Sequence, residues 1–328
     1  MIVLVADKFE QAGLNGLAAL GCTVVNQPGI GTDKLGAALA ESRADVLIVR
    51  STKVPASVIS GASSLRMIVR AGAGVDNIDV GAASAQGVKV CNCPGMNAVA
   101  VAELTMGLLL CCDRRIADQT AELRAGRWNK KEFSKTGAGG ARGLMGLTLG
   151  VVGVGAIGQE VVKRATAFGM RVVIWSRGIT PQHAGALNAE FGGTDTPALL
   201  ALASRADAIS VHLPLADTTR RLFNKAFFDA MKPGAYFINT SRGGIVDEAA
   251  LREAVAAKGL RVGLDVYENQ PAESEGAFDP ATARLSGFVG THHSGASTEQ
   301  AQNAVAVETV RIVRSFKDTG RCLNCVNE

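Results

Sequence analysis

A chain of 328 residues with 34 Lys and Arg against 30 Asp and Glu carries a net charge of +4, long enough for two ordinary domains and too evenly charged to imply nucleic acid. With 47% hydrophobic and 20% charged residues it has the balance of a folded globular protein, which excludes disorder and small disulfide-held scaffolds. The one unusual count is 38 glycines against a usual share of about 7%; such residues belong where the backbone takes positive φ or approaches something closely.

The opening MIVLVADKFE lacks a basic stretch followed by a long apolar run, so the expectation is a cytoplasmic protein without a secretory signal. The most apolar segment, residues 98–112, contains Glu103 and falls short of the roughly 20 residues of a membrane span. It reads as a buried helix. The cysteine count is odd, seven, which fits reduced thiols. The pair Cys322 and Cys325 forms a CxxC that suits a redox or metal pair, but without a second CxxC or His pair it reads as an ordinary tail, and no metal is expected.

Short β-branched runs at residues 2–5, 23–25, 46–49, 67–69 and 88–90 alternate with helical patterns, the pattern of a parallel sheet covered by helices. One long helix is expected over residues 97–123, followed by a glycine-rich loop over 137–146. Alternation then restarts, with strands at 147–152, 171–175, 208–212, 235–239 and 262–265. Helices fall near 156–168, 225–231 and 248–258, and a last helix over 298–317 has Ala301, Val305, Val307, Val310 and Val313 at helical spacing.

The strand at 147–152 leads straight into Gly153, Val154, Gly155, Ala156, Ile157 and Gly158, a GxGxxG between strand and helix. Gly153 permits the tight turn, Gly155 the approach of a pyrophosphate, and Gly158 close helix–strand packing, while the helix N-terminus offers free amides. The alternative is a tight turn and nothing more. At the end of the following strand an acidic residue would hold the ribose hydroxyl of NAD, but the chain reads Trp175, Ser176, Arg177. A serine and an arginine suit a 2′-phosphate, so NADP is favoured over NAD.

Three further segments carry redox-competent side chains: NTSRGGIVD from Asn239, GLDVYENQP from Gly263, and THHSGAST from Thr291. Their order and content resemble the D-isomer-specific 2-hydroxyacid dehydrogenase family over nearly the whole chain. Within it, LIVRSTKV (47–54), VRAGAGVDN (69–77), AELTMGLLL, GRWNKKEF (126–133), SRGGIVDE and GAST come closest to the phosphoglycerate dehydrogenase group. The resemblance implies two doubly wound α/β domains. A flavodoxin-like substrate domain would span 1–97 plus 296–328, and a Rossmann cofactor domain 98–295, with the active site in the cleft and dimerisation through the cofactor domain.

The resemblance also implies that His293 is the general acid and base and that Arg242 holds the carboxylate and keto oxygen. Asp265 would orient the nicotinamide amide, with His212, Pro214, Thr240 and Gly295 also at the cofactor. Ala73, Gly74, Val75 and Asn97 would line the substrate. Chemistry agrees: hydride removal from a secondary alcohol requires loss of the hydroxyl proton, for which histidine is suited near neutral pH, and a planar arginine binds a 2-oxo acid bidentately. An isolated His or Arg is nonetheless more often structural. His292 stands where the family has proline, and neighbours on an extended chain face opposite sides, so His293 is chosen from its distance to the GAST run. The family's glutamate beside the catalytic histidine is replaced by Gln270, with Glu268 a less favoured substitute carboxylate.

Arg50 and Arg70, with Lys130 or Lys131 from a partner subunit, would surround a phosphate, making 3-phosphoglycerate the leading substrate. An NADPH-dependent hydroxypyruvate or glyoxylate reductase is the alternative, and a dinucleotide-sensing corepressor the more distant one. The sequence ends soon after its last helix, so no regulatory domain is expected there.

Overall fold

The computed structural model describes residues 1–135, 140–271 and 275–328; within the expected glycine-rich loop, positions 137–139 lie outside the described residues. The chain divides into two compact units, Met1–Asn97 with Ala296–Glu328, and Ala98–Gly295.

The first unit alternates β1 (Ile2–Val5), α1 (Gln11–Ala19), β2 (Thr23–Asn26), α2 (Thr32–Ser42), β3 (Val46–Val49), α3 (Ala56–Ser60), β4 (Met67–Arg70), α4 (Val80–Ala85) and β5 (Lys89–Asn92). Its strands run parallel in the order β2-β1-β3-β4-β5, a flavodoxin-like doubly wound sheet. The apolar strands are explained by burial on both faces. Leu4, Leu47, Ile68 and Val90 pack on one side, and Val3, Val5, Val46, Ile48, Met67 and Val69 on the other.

The second unit opens with α5 (Ala98–Arg114) and α6 (Ile116–Arg124). It continues through β6 (Thr148–Val152), α7 (Ala156–Ala167), β7 (Arg171–Trp175), α8 (Pro181–Ala186), β8 (Glu190–Phe191), α9 (Thr196–Arg205), β9 (Ala208–Val211), α10 (Lys225–Ala230), β10 (Tyr236–Asn239), α11 (Glu248–Lys258), β11 (Arg261–Leu264) and β12 (Phe288–Gly290). The parallel order β12-β11-β10-β9-β6-β7-β8 is a Rossmann sheet, and its order reverses at β6, next to the glycine motif.

The single helix expected over 97–123 is two. Arg115 takes a left-handed conformation, φ 51°, between α5 and α6. The physical reason lies far along the sequence: Arg261 donates to the carbonyls of Cys112 (3.2 Å) and Asp113 (3.0 Å), satisfying the end of α5 so that the chain can turn. Buried Asp113 accepts Arg142 N–H (2.8 Å) and the Tyr236 hydroxyl (2.7 Å).

Helix α12 (Glu299–Thr319) returns the chain to the first unit. Thr298 caps its start by accepting Ala301 N–H at 3.2 Å, Gly320 ends it at φ 73°, and Val305, Val310, Ile312, Val313 and Phe316 cover one face of the first sheet, while Val307, expected with them, falls two positions from Val305 on the solvent side and is 66% exposed. The last residues then lie against β5, with Cys325 opposite Cys91 in an antiparallel bridge.

Candidate active site

In the glycine motif, Gly153 has φ 93°, and a Cβ there would lie 2.5 Å from the His212 carbonyl oxygen. A Cβ on Gly158 would overlap the Gly153 carbonyl. At Gly155, which begins α7, a Cβ would meet nothing within 4 Å. Two of the glycines thus serve the turn and its packing, while the third leaves open space before the free amides of Ala156 and Ile157. That cradle fits a pyrophosphate.

Strands β7 and β9 flank β6, so the loops that follow them border the same motif. Ser176 and Arg177 leave β7, and Arg177 Nη1 donates to Thr218 Oγ1 at 2.7 Å. No carboxylate side chain occupies the Ser176 or Arg177 position. On the other flank, His212 Nε2 lies 2.6 Å from Ser210 Oγ. Its Nδ1 is buried without a hydrogen-bond partner among the described residues, and burial pushes the ring's pKa down to about 3. His212 is therefore neutral at physiological pH. Pro214 is exposed and its carbonyl accepts the Thr219 hydroxyl at 2.7 Å.

Arg242 emerges at the end of β10. The Asn239 side chain folds the strand end back on itself: Nδ2 donates to the Arg242 carbonyl (3.0 Å), and Oδ1 accepts the Ser241 N–H and hydroxyl, both at 3.0 Å. Thr240 Oγ1 lies 2.9 Å from Thr105 Oγ1. A Cβ on Gly243 would overlap the backbone of Tyr267; glycine there lets the arginine loop lie directly on the segment that carries Gln270.

Asp265, 1% exposed, organises the loop after β12. Its Oδ1 accepts the Thr291 hydroxyl (2.6 Å) and Ser294 N–H (2.8 Å), its Oδ2 accepts Gly295 N–H (3.0 Å), and its backbone carbonyl accepts His293 N–H (2.8 Å). His293 itself has φ 51°, uncommon for a residue with a side chain, and these four hydrogen bonds hold it there. Gln270 Nε2 meets His293 Nδ1 at 2.6 Å, while its Oε1 accepts Tyr267 N–H at 3.1 Å. Glu268 instead pairs with Arg221 at 2.5 Å. His292 is exposed.

The remaining sequence-derived positions belong to the first unit, apart from exposed Lys130. Arg70 ends β4 and is in register with Val49 of β3, immediately before Arg50. The Arg50, Ser51 and Thr52 amides all donate to Asp7 (2.6–3.1 Å). At Gly72, φ 154°, a Cβ would overlap the Arg70 guanidinium, so this glycine makes room for the arginine. Nearby, the Ala73 carbonyl accepts Asn92 Nδ2 at 2.6 Å, and Gly74 and Val75 follow before the turn into α4. Asn97 Oδ1 is buried without a hydrogen-bond partner among the described residues.

A family model described as D-isomer specific 2-hydroxyacid dehydrogenase, NAD binding domain, matches residues 106–295. The chain belongs to that family.

The dehydrogenase is 43% identical over 278 residues to a hydroxypyruvate reductase of Thermotoga maritima, covering 84% of this chain and 85% of the relative. It is 40% identical over 315 residues to a D-3-phosphoglycerate dehydrogenase of Mycobacterium leprae, covering 95% of this chain but only 56% of that one's length. Among solved structures, a Thermus thermophilus protein superposes with a TM-score of 0.85 at 33% identity, covering 99% of this chain and 100% of that one. The chain is thus a D-2-hydroxyacid dehydrogenase that uses a nicotinamide dinucleotide and small-molecule substrates. No helix among its described residues is long and apolar enough to cross a membrane.

Sequence reasoning assigned no role to Thr218, Tyr267 or Thr291, although the last two lie within the motif segments. The first lies in the loop that follows β9, away from every motif, and the second acts through its backbone N–H. Thr291 did stand at the head of the histidine segment, its hydroxyl one residue from His292.

Proposed function

We propose that this dehydrogenase interconverts 3-phosphoglycerate and 3-phosphohydroxypyruvate, with NADP preferred over NAD. The observation that carries the reaction is the His293–Gln270 pair, held on an Asp265-anchored loop in the same unit as the open cradle at Gly155. The phosphate assignment rests on Arg50 and Arg70 leaving adjacent strand ends, where two guanidinium groups suit a dianion. Arg242 holds the substrate's carboxylate and polarises the keto oxygen. His293 passes the proton to that oxygen in reduction and withdraws it in oxidation. The bound nicotinamide supplies or accepts the hydride. Asn97, with its orphaned acceptor, faces a donor on the substrate, and any contact of Asp265 with the nicotinamide amide is additional to its loop contacts.

For the cofactor, Ser176 and Arg177, the latter tied to Thr218, form the 2′-phosphate site. An NADPH-dependent hydroxypyruvate or glyoxylate reductase is the second reading, favoured by Gln270 and by the likeness to the Thermotoga relative. A homodimer belongs to the same proposal, because Trp128 and Met145 of the second unit are 81% and 85% exposed and a subunit contact would cover such side chains. It also brings Lys130 toward a neighbouring substrate.

The test is absorbance-monitored oxidation of NADPH and NADH, each with phosphohydroxypyruvate, hydroxypyruvate and glyoxylate. Fastest turnover of phosphohydroxypyruvate with NADPH is expected. Activity only on the unphosphorylated acids selects the second reading, and no oxidation with any pair defeats both.

A further inference from the structure

The terminal CxxC is not absorbed by the dehydrogenase chemistry, and the fold gives it a specific neighbour. After α12 the tail runs antiparallel to β5: Asn92 N–H donates to the Asn324 carbonyl (3.2 Å) and Val326 N–H to the Val90 carbonyl (2.8 Å). These two bonds bracket Cys91 and Cys325, which face each other without bonding through their own backbones. In such a non-hydrogen-bonded pair the Cα atoms are about 4.5 Å apart and the side chains are at their closest, inside the roughly 4.4–6.8 Å that a disulfide spans. The Cys91 thiol contacts both Cys325 and Cys322, and Met67 Sδ lies 3.8 Å from its sulfur.

We propose that Cys91 and Cys325 are a reversible disulfide site that clips the C-terminal tail to the edge of the first sheet under oxidising conditions. Both are thiols in this structure. Cys91 is fully buried and its thiol is pushed up by burial and by its neighbours, so it is protected from direct attack. Cys325 and Cys322 are partly exposed and receive the oxidant, hydrogen peroxide. The Cys325 sulfur, losing its proton, attacks one peroxide oxygen; the O–O bond breaks, and water leaves with a sulfenic acid on Cys325. Cys91 then attacks that sulfur as its proton departs, the S–OH bond breaks, and a second water leaves with the S–S bond formed. Two thiols are oxidised by two electrons and one hydrogen peroxide is reduced.

The other holds on the tail are amide bonds: Val90 N–H to Asn327 Oδ1 (2.8 Å) and Asn327 Nδ2 to the Val88 carbonyl (2.9 Å). The Cys325 thiol also donates to Asn327 Oδ1 at 3.3 Å, a weak contact that it gives up when the S–S bond forms, while the backbone bridge to β5 stays in place.

The experiment treats the full-length protein with hydrogen peroxide, blocks residual thiols, and maps non-reduced peptides by mass spectrometry. A Cys91–Cys325 peptide that disappears on adding dithiothreitol is expected, and it should persist in Cys322→Ala. The oxidised wild type should show an upward melting shift absent from Cys325→Ser. Recovery of only a Cys322–Cys325 linkage, or of unlinked Cys325 at full peroxide exposure, overturns the proposal. Cys325→Ser lies at the surface and keeps the backbone bridge, so its folding is checked independently by its unoxidised melting curve.

Discussion

Tyr267 N–H occupies the oxygen of the Gln270 amide, which leaves the amide's NH₂ to face His293 Nδ1. An NH₂ group only donates, so Nδ1 accepts and the ring proton sits on Nε2. An imidazolium would set two donors against each other, and the glutamine therefore works against the charged ring. A carboxylate at this position would accept from both sides. In Gln270→Glu the imidazolium, which donates the proton in ketone reduction and exists below its pKa, should persist to higher pH. The alkaline limb of the reduction profile should move up by about one unit; a superimposable profile would remove Gln270 from the pairing. Asp265→Asn puts a donor against one of three loop donors, so a kcat/KM loss on the order of 100-fold is expected, with a stability loss of about 2 kcal/mol, read by kinetics and urea unfolding.

Strands β1, β3, β6, β7 and β10 were legible because burial on both faces demands unbroken β-branched and apolar runs. The two-residue β8 and the three-residue β12 were not, being too short for any period to show. The break between α5 and α6 was hidden for another reason: the group that ends α5 is Arg261, on a strand far along the chain, and no local pattern reports it. Arg261→Ala frees the carbonyls of Cys112 and Asp113 and removes a guanidinium 5.6 Å from the Tyr236 ring centroid. A stability loss of roughly 2–3 kcal/mol is expected in urea unfolding. In the candidate site, Gly155 could be read from the strand–GxGxxG–helix spacing, whereas His293 and Gln270 were singled out through the resemblance to the family, and the structure places those two in contact. Thr218, which steadies Arg177, was invisible because only the sheet order places its loop across β6. Thr218→Val should lower kcat/KM with NADPH about tenfold while sparing NADH, and equal effects on both would dissociate it from the phosphate.

For the molecule as a whole, acid is the weak side. His212, with a folded pKa of about 3 against an ordinary 6.5, stays neutral in the folded state while the unfolded chain takes up a proton. Its contribution is complete above about pH 6.5 and falls by about 1.4 kcal/mol per pH unit as pH drops toward 3. Asp207, held down to about 2 despite burial by Thr148 N–H, Arg142 and Lys232, adds a second loss between its ordinary 3.8 and that value. Urea midpoints of wild type and His212→Gln at pH 7, 6, 5 and 4 should diverge in the first window. Parallel curves would show that the imidazole is not the sensitive group. The return of α12 to the first unit carries a cost of another kind, paid during synthesis. At about 5–20 residues per second, the roughly 200 residues of the second unit take on the order of 10–40 s to leave the ribosome. Throughout that interval Val3, Val5, Val46, Ile48, Met67 and Val69 wait uncovered for Val310, Ile312, Val313 and Phe316. The first sheet thus keeps an apolar face uncovered until the last helix emerges.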